Sequence, residues 1–89
     1  MKLTAEMSLY PLANEYIPVI QDFIEQARTH ADMEIITNAM STQVCGEYDA
    51  VFELVRDTLA RSYDKHGKQV LVCKFIVGDL ELGKWKTGD

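Results

Sequence analysis

The spacing of the apolar residues switches along this chain between alternate and helical positions, and the order of those switches limits the fold more than any single motif. Residues Lys2 to Tyr10 alternate, with Leu3, Ala5, Met7 and Leu9 on one side and Thr4, Glu6, Ser8 and Tyr10 on the other, which is the period of a half-buried strand. Pro11 ends it. Beyond a short linker, Leu12 to Tyr16, Pro18 suits a first helical position, and Ile17, Ile20, Ile24 and Ala27 recur at helical spacing as far as Thr29. Met33 to Asn38 and Ser41 to Glu47, joined through Asn38, Ala39 and Met40, read as a hairpin. Asp49 is a good N-cap for a second helix with the stripe Val51, Phe52, Val55, Leu59 and Tyr63, which Gly67 closes as a left-handed cap. Gln69 to Val77 is a β-branched run of strand length.

Strand, helix, strand, strand, helix, strand is the split βαβ arrangement, an α+β ferredoxin-like fold (βαββαβ) with a four-stranded antiparallel sheet and two helices on one face. The domain is expected over residues 1–78. In the tail, 79–89, Leu80, Leu82 and Trp85 sit among glycines and charges, a composition expected to dock on a neighbouring molecule or stay mobile. With the strands ordered fourth, first, third, second, the end of the first strand, the hairpin and the beginning of the fourth strand meet at one end of the sheet. Ser8, Tyr10, Thr37, Asn38, Met40, Thr42 and Val70 then become neighbours. The face away from the helices would carry Glu6, Ser8 and Tyr10, with Gln43, Cys45 or Lys74 where the register matches, and an apolar patch of Val70, Val72 and Ile76. Such a patch is usually covered by a second copy or a ligand.

Fourteen acidic against nine basic residues give a net charge of −5, the wrong sign for a chain that binds phosphate backbones or anionic membranes. Neither nucleic acid nor membrane is therefore an expected partner, and no run approaches the roughly 18 apolar residues of a membrane span. The expectation is a cytoplasmic protein. At 89 residues only a modest core is available, and association with further copies is a common way of adding to it. Cys45 and Cys73 show no metal-knuckle spacing and fall on strands about 9–10 Å apart in this order, so two unbonded buried thiols are expected.

Catalytic constellations are scarce. His30 and His66 fall at helix ends among polar residues, where a solvated imidazole favoured by the helix dipole is the simplest account. Asp22 with Glu25, and Glu53 with Asp57, are spaced as solvated helix faces. There is no phosphate loop, dinucleotide fingerprint or metalloprotease motif, and neither a metal nor a cofactor is called for. What stands out is the polar cluster of Ser8, Tyr10, Thr37, Asn38, Met40, Ser41 and Thr42, with Glu6 as an added acceptor. Hydroxyls and an amide beside an aromatic ring and a thioether can line a flat heteroaromatic ligand. The same residues also serve as turn chemistry at Asn38 and as strand-compatible side chains elsewhere.

The run Ser8-Leu9-Tyr10-Pro11-Leu12, the run Thr37-Asn38-Ala39-Met40-Ser41-Thr42 leading into Val44 and Gly46, the helix start Asp49-Ala50-Val51-Phe52 and the strand Val70-Leu71-Val72-Cys73-Lys74 together resemble the small thiamine-binding proteins of the YkoF-like family. The likeness spans about residues 3 to 77. Ser41 stands where the family often has glycine. The resemblance implies a domain that pairs with itself as a homodimer or homotetramer, and non-catalytic binding of thiamine or its hydroxymethylpyrimidine moiety. It assigns Ser8, Thr37, Asn38 and Thr42 to the pyrimidine edge, Tyr10 and Met40 to its face, and Glu6 to the positive charge. Two other classes remain: a self-associating structural or regulatory module without a ligand, and a small cofactor-independent isomerase or oxygenase with Glu6 as its base.

Overall fold

Alternation along the first strand decides which face of the sheet is buried. The computed structural model describes residues 1–30 and 32–84; Trp85 and the four residues after it, the end of the expected tail, lie outside the described residues. The elements run β1 (Lys2–Pro11), α1 (Ile17–Ala27), β2 (Glu34–Thr37), β3 (Thr42–Glu47), α2 (Tyr48–His66) and β4 (Gln69–Val77). The sheet has the order β2-β3-β1-β4 with antiparallel pairing at each junction, which is the ferredoxin-like arrangement expected from the order of spacings. Leu3, Ala5 and Met7 of β1 and Val44 of β3 are buried beneath the helices with Phe23, Ala27, Val51 and Leu54. The larger of these apolar side chains, the valines, leucines, Met7 and Phe23, each contribute roughly 1.5–3 kcal/mol by leaving water.

Both helices are turned from the faces expected of them. On α1 the buried line is Val19, Phe23 and Ala27, while Ile17 is exposed and Ile20 and Ile24 are half-buried. On α2 it is Val51, Leu54, Thr58 and Ser62. Two short polar side chains sit where the periodicity favoured Leu59 and Tyr63, and the Ser62 hydroxyl there donates to Oε1 of Gln69 at 2.8 Å. Phe52 and Tyr63 are exposed, and Phe52 instead stacks on Phe75 of β4 at 4.7 Å and meets Tyr48 edge-on at 5.0 Å. Asp49 is not the N-cap of α2. Glu47 holds that position without a side-chain bond, and Asp49 lies in the first turn, where its charge still complements the helix dipole. Gly67 does close α2, at φ 84° and ψ −155°, so its backbone is extended on the positive-φ side rather than left-handed helical.

Asp22 and His66, expected to be solvated, hold the helices together. The Nε2–H of His66 donates to Oδ2 of Asp22 at 3.0 Å, and Lys65 reaches Oδ1 at 3.4 Å. These contacts keep the Asp22 carboxyl below the usual carboxylate range, with the His66 bond the largest cause.

Residues Gly78–Lys84 do not extend away from the domain. They cross the helix-free face of the sheet as a strap. Thr4 donates its hydroxyl to the Gly78 carbonyl at 2.9 Å, and Asp79 accepts the Glu81 N–H at 2.8 Å and the Cys45 thiol at 3.5 Å. Leu82 is 7% exposed, and Thr4 and Cys45 are buried with it. Cys45 lies on this face and Cys73, half-buried and free, on the other. Burial pushes the Cys73 thiol up. Among the described residues, no helix is long and apolar enough to cross a membrane.

Candidate functional site

The site originates in a mismatch of strand lengths. β1 pairs with β3 only from Lys2 to Met7, the last pair being Met7 with Thr42, whereas its pairing with β4 continues through Ser8, Leu9 and Tyr10 to Pro11. On the β3 side, the final four residues of β1 therefore have no strand neighbour. The β2–β3 turn, Asn38 to Ser41, curls beside that overhang and leaves a notch through the end of the sheet. Asn38 shapes the turn. Its Oδ1 accepts the N–H of Met40 at 2.8 Å and that of Ser41 at 3.1 Å, and its own N–H donates to the Ser41 carbonyl at 3.0 Å. This is the Asx-turn chemistry open to an asparagine, and it leaves the Nδ2 amide group as the part of the side chain free of the turn.

A cavity of about 390 Å³ opens on the helix side of the notch, within the size range of small-molecule sites. Ile20, Phe23 and Ile24 of α1 lie at its apolar base, Thr37 and Thr42 on its sheet wall, and Tyr10, Tyr16 and Met40 around its opening. The Thr37 and Thr42 hydroxyls are 3.1 Å apart and hydrogen-bonded to each other. Both point to the helix side, because they share the register position of Met7. A second cavity of about 230 Å³ lies on the helix-free side and is lined by Glu6, Ser8, Tyr10, Met40, Ser41, Val72 and Lys74. Ser8, Tyr10, Met40 and Ser41 line both, so the two hollows adjoin across the notch.

The sheet thus brings together Ser8, Tyr10, Thr37, Asn38, Met40 and Thr42 around one hollow, and places Glu6 in the other. It divides them by face: the two threonines inward, Glu6, Ser8 and Tyr10 outward. Glu6 is engaged, with Oε2 accepting the Ser41 hydroxyl at 2.9 Å and Oε1 lying 3.8 Å from Lys74 Nζ. The Ser8 hydroxyl donates weakly, at 3.4 Å, to the Met40 carbonyl. Sequence reasoning missed Tyr16 as a lining residue and gave Ser41 and Lys74, which it placed in the cluster and on the helix-free face, no part in binding. The alternation of β4 carried a signal for Lys74, which shares a register position with Glu6; nothing in the spacing pointed to Tyr16, which precedes α1 without belonging to a periodic segment. Among the described residues, no group of three or more metal-ligating side chains is gathered.

Comparison with known proteins bears on this cleft. The model of the YkoF-related family matches residues 2–78. None of the curated proteins compared matches the chain. Among solved structures, a protein from Streptococcus pneumoniae superposes with a TM-score of 0.81 at 21% identity, over 90% of this chain and 90% of its own. A domain of unknown function from Bacillus cereus gives 0.83 at 20% identity, over 100% and 92%. A Thermotoga maritima protein, provisionally described as a thiamine biosynthesis/salvage protein, gives 0.74 at 19% identity, over 84% and 82%. At these identities the likeness to solved structures establishes the fold alone.

Proposed function

The chain belongs to the YkoF-related family, and from that premise we propose that it binds thiamine or its hydroxymethylpyrimidine moiety, without turning it over, in the notch at the end of the sheet. The observation that carries this reading is the pair of adjoining hollows with different linings. The helix-side hollow has an apolar base and the paired Thr37 and Thr42 hydroxyls, a lining suited to a planar ring with a donor and acceptor edge. The outer hollow has a carboxylate, Glu6, suited to a permanent cation. In this reading the pyrimidine enters the inner hollow. Thr37, Thr42, Ser8 and the Asn38 amide hydrogen-bond its edge, Tyr10 and Met40 cover its face, and the thiazolium lies outside near Glu6, taking over part of the role Lys74 has in the free protein.

Binding rather than turnover fits the state of Glu6. A general base in a cleft is usually desolvated, whereas this carboxylate is 40% exposed and already hydrogen-bonded and ion-paired. Self-association belongs to the same reading: Val70, Val72 and Ile76 are all exposed on the helix-free face, and a second copy would remove that surface from water. Isothermal titration of the protein with thiamine, and separately with hydroxymethylpyrimidine, tests the binding. Heat that weakens in Ser8→Ala and Thr42→Val is the expected result; no heat and no thermal shift at millimolar ligand would remove the claim.

A further inference from the structure

The strap divides the helix-free face into two halves of different character. Over one half, Gly78–Lys84 covers Thr4 and Cys45, the latter only 6% exposed. Gly83 there lies so close to Ile36 of β2 that a Cβ would come within 2.7 Å of its Cδ1. The strap also brings Asp79, Glu81 and Lys84, all exposed, to a half whose rim already carries Lys2, Glu34 and Glu47. With the N-terminal ammonium, which pairs with Glu47, that makes four acids against three cationic groups among the described residues. The other half is bare. Tyr10 is 56% exposed, Val70 48% and Val72 45%, and among them on β1 and β4 stand the charged residues Glu6 and Lys74, opposite one another in register.

Net charge is −5 for the whole chain, yet this bare half sets an acid opposite a base. A two-fold contact places the same patch on both subunits, so the patch must complement itself. Glu6 facing the Lys74 of a second copy, around Val70 and Val72, satisfies that condition. Over the strap half, the docked segment itself stands between the sheet and a second copy. The bare half is also where the outer hollow of the notch opens, since Glu6, Ser8, Tyr10, Val72 and Lys74 line it.

We infer that the C-terminal strap confines a second copy of this chain to the half of the sheet that holds the site, so that the twin roofs the outer hollow and ligand binding and self-association are thermodynamically linked. The linkage rests on the binding function proposed above; the confinement does not. The roof excludes water from Glu6 and from whatever lies beside it, and binding reciprocally stabilises the pair. A ligand that prefers the paired form about tenfold at each site tightens pairing by about a hundredfold once both sites are filled.

Three measurements on the full chain test this. Alkylation of Cys45, followed by mass spectrometry of its peptide, reads the strap, because a thiol reacts in proportion to its access. It is expected to be at least about tenfold faster in Leu82→Asp than in the parent. Sedimentation equilibrium with and without saturating thiamine reads the linkage. The dimer dissociation constant is expected to fall by about ten- to a hundredfold in the parent, and by much less in Leu82→Asp, where the twin is no longer held to the site. Val72→Asp is expected to abolish the dimer. Equal Cys45 rates in parent and variant overturn the strap. A dissociation constant that thiamine leaves unchanged, in a sample that gives heat on titration, overturns the linkage, as does a ligand effect equally large in Leu82→Asp. Absence of heat removes the binding function and the linkage with it, while the Cys45 rates and Val72→Asp still decide the confinement.

Discussion

Replacing Asp22 is the most informative single change to the scaffold, because this side chain joins α1, which supplies the base of the inner hollow, to the end of α2. It is 15% exposed and faces the His66 ring at 3.0 Å and two cationic groups, Lys65 at 3.4 Å and Arg61 at 3.8 Å. Their energies are unequal. Lys65 and Arg61 are 54% and 48% exposed, and pairs of that kind contribute roughly 0–1 kcal/mol each. The His66 ring is 19% exposed, and a hydrogen bond to a charged group in such a setting is worth about 1.5–3 kcal/mol. Asp22→Ala should therefore lower unfolding stability by about 2–3 kcal/mol at neutral pH. Asp22→Asn, which can still accept from His66, should lose about half as much. Each kcal/mol shifts the melting point of a domain this size by roughly 4–8 °C.

The direction of the pH dependence follows from the lowered Asp22 pKa. A carboxyl more acidic in the folded than in the unfolded chain stabilises the fold above its unfolded pKa of roughly 4, and that contribution is lost as pH falls through the lowered folded value. The gap between parent and Asp22→Asn, measured by urea denaturation, should thus be full at pH 6 to 7 and should close as pH falls below the ordinary carboxylate range. A gap of the same size at both ends would mean that shape and packing, not charge, account for the effect, and the electrostatic argument would fail.

Gly46→Ala should destabilise by roughly 1–3 kcal/mol, because the Met33 side chain occupies the place its Cβ would take; chemical denaturation reads this directly. Thr58→Val should be neutral or stabilising by up to about 1 kcal/mol, since the Thr58 hydroxyl is buried with no hydrogen-bond partner among the described residues, and a melting point that drops would contradict it. Asn38→Ala removes the acceptor of two turn N–H groups and should cost about 1–2 kcal/mol, whereas Asn38→Asp keeps that acceptor and should cost less than about 0.5 kcal/mol. Equal losses in the two variants would argue against the Asx turn as the reason for asparagine.

The fold was legible because its signal is periodic. Leu3, Ala5, Met7 and Leu9 repeat every second residue, and a one-residue slip would have sent all of them to the wrong face. The helices were legible in extent but not in rotation. Thr58 and Ser62 lie on the buried side of α2, and no apolar pattern marks a polar residue as buried. The end of the sheet could be located from strand order alone, which gathered Ser8, Tyr10, Thr37, Asn38, Met40 and Thr42. Their division between two faces was legible on β1, whose alternation puts Ser8 and Tyr10 on the helix-free side, but not for Thr37 and Thr42, whose inward face follows from the pairing of Thr42 with Met7. The strap was not legible either: Leu80 and Leu82 have no period, and the docking of this segment on Thr4 and Cys45 rests on contacts more than 30 residues apart in the chain.

The overhang of β1 has a consequence for how sequences of this type can vary. Because the slot exists only where β3 stops short, its width is governed by the length of the segment between Thr37 and Thr42. Inserting two residues there would let the hairpin extend alongside Ser8 and Tyr10 and fill the slot with backbone. Deleting one would pull the hairpin back and merge the slot with solvent. Loop length, ordinarily the most permissive property of a small domain, is here the dimension least free to change.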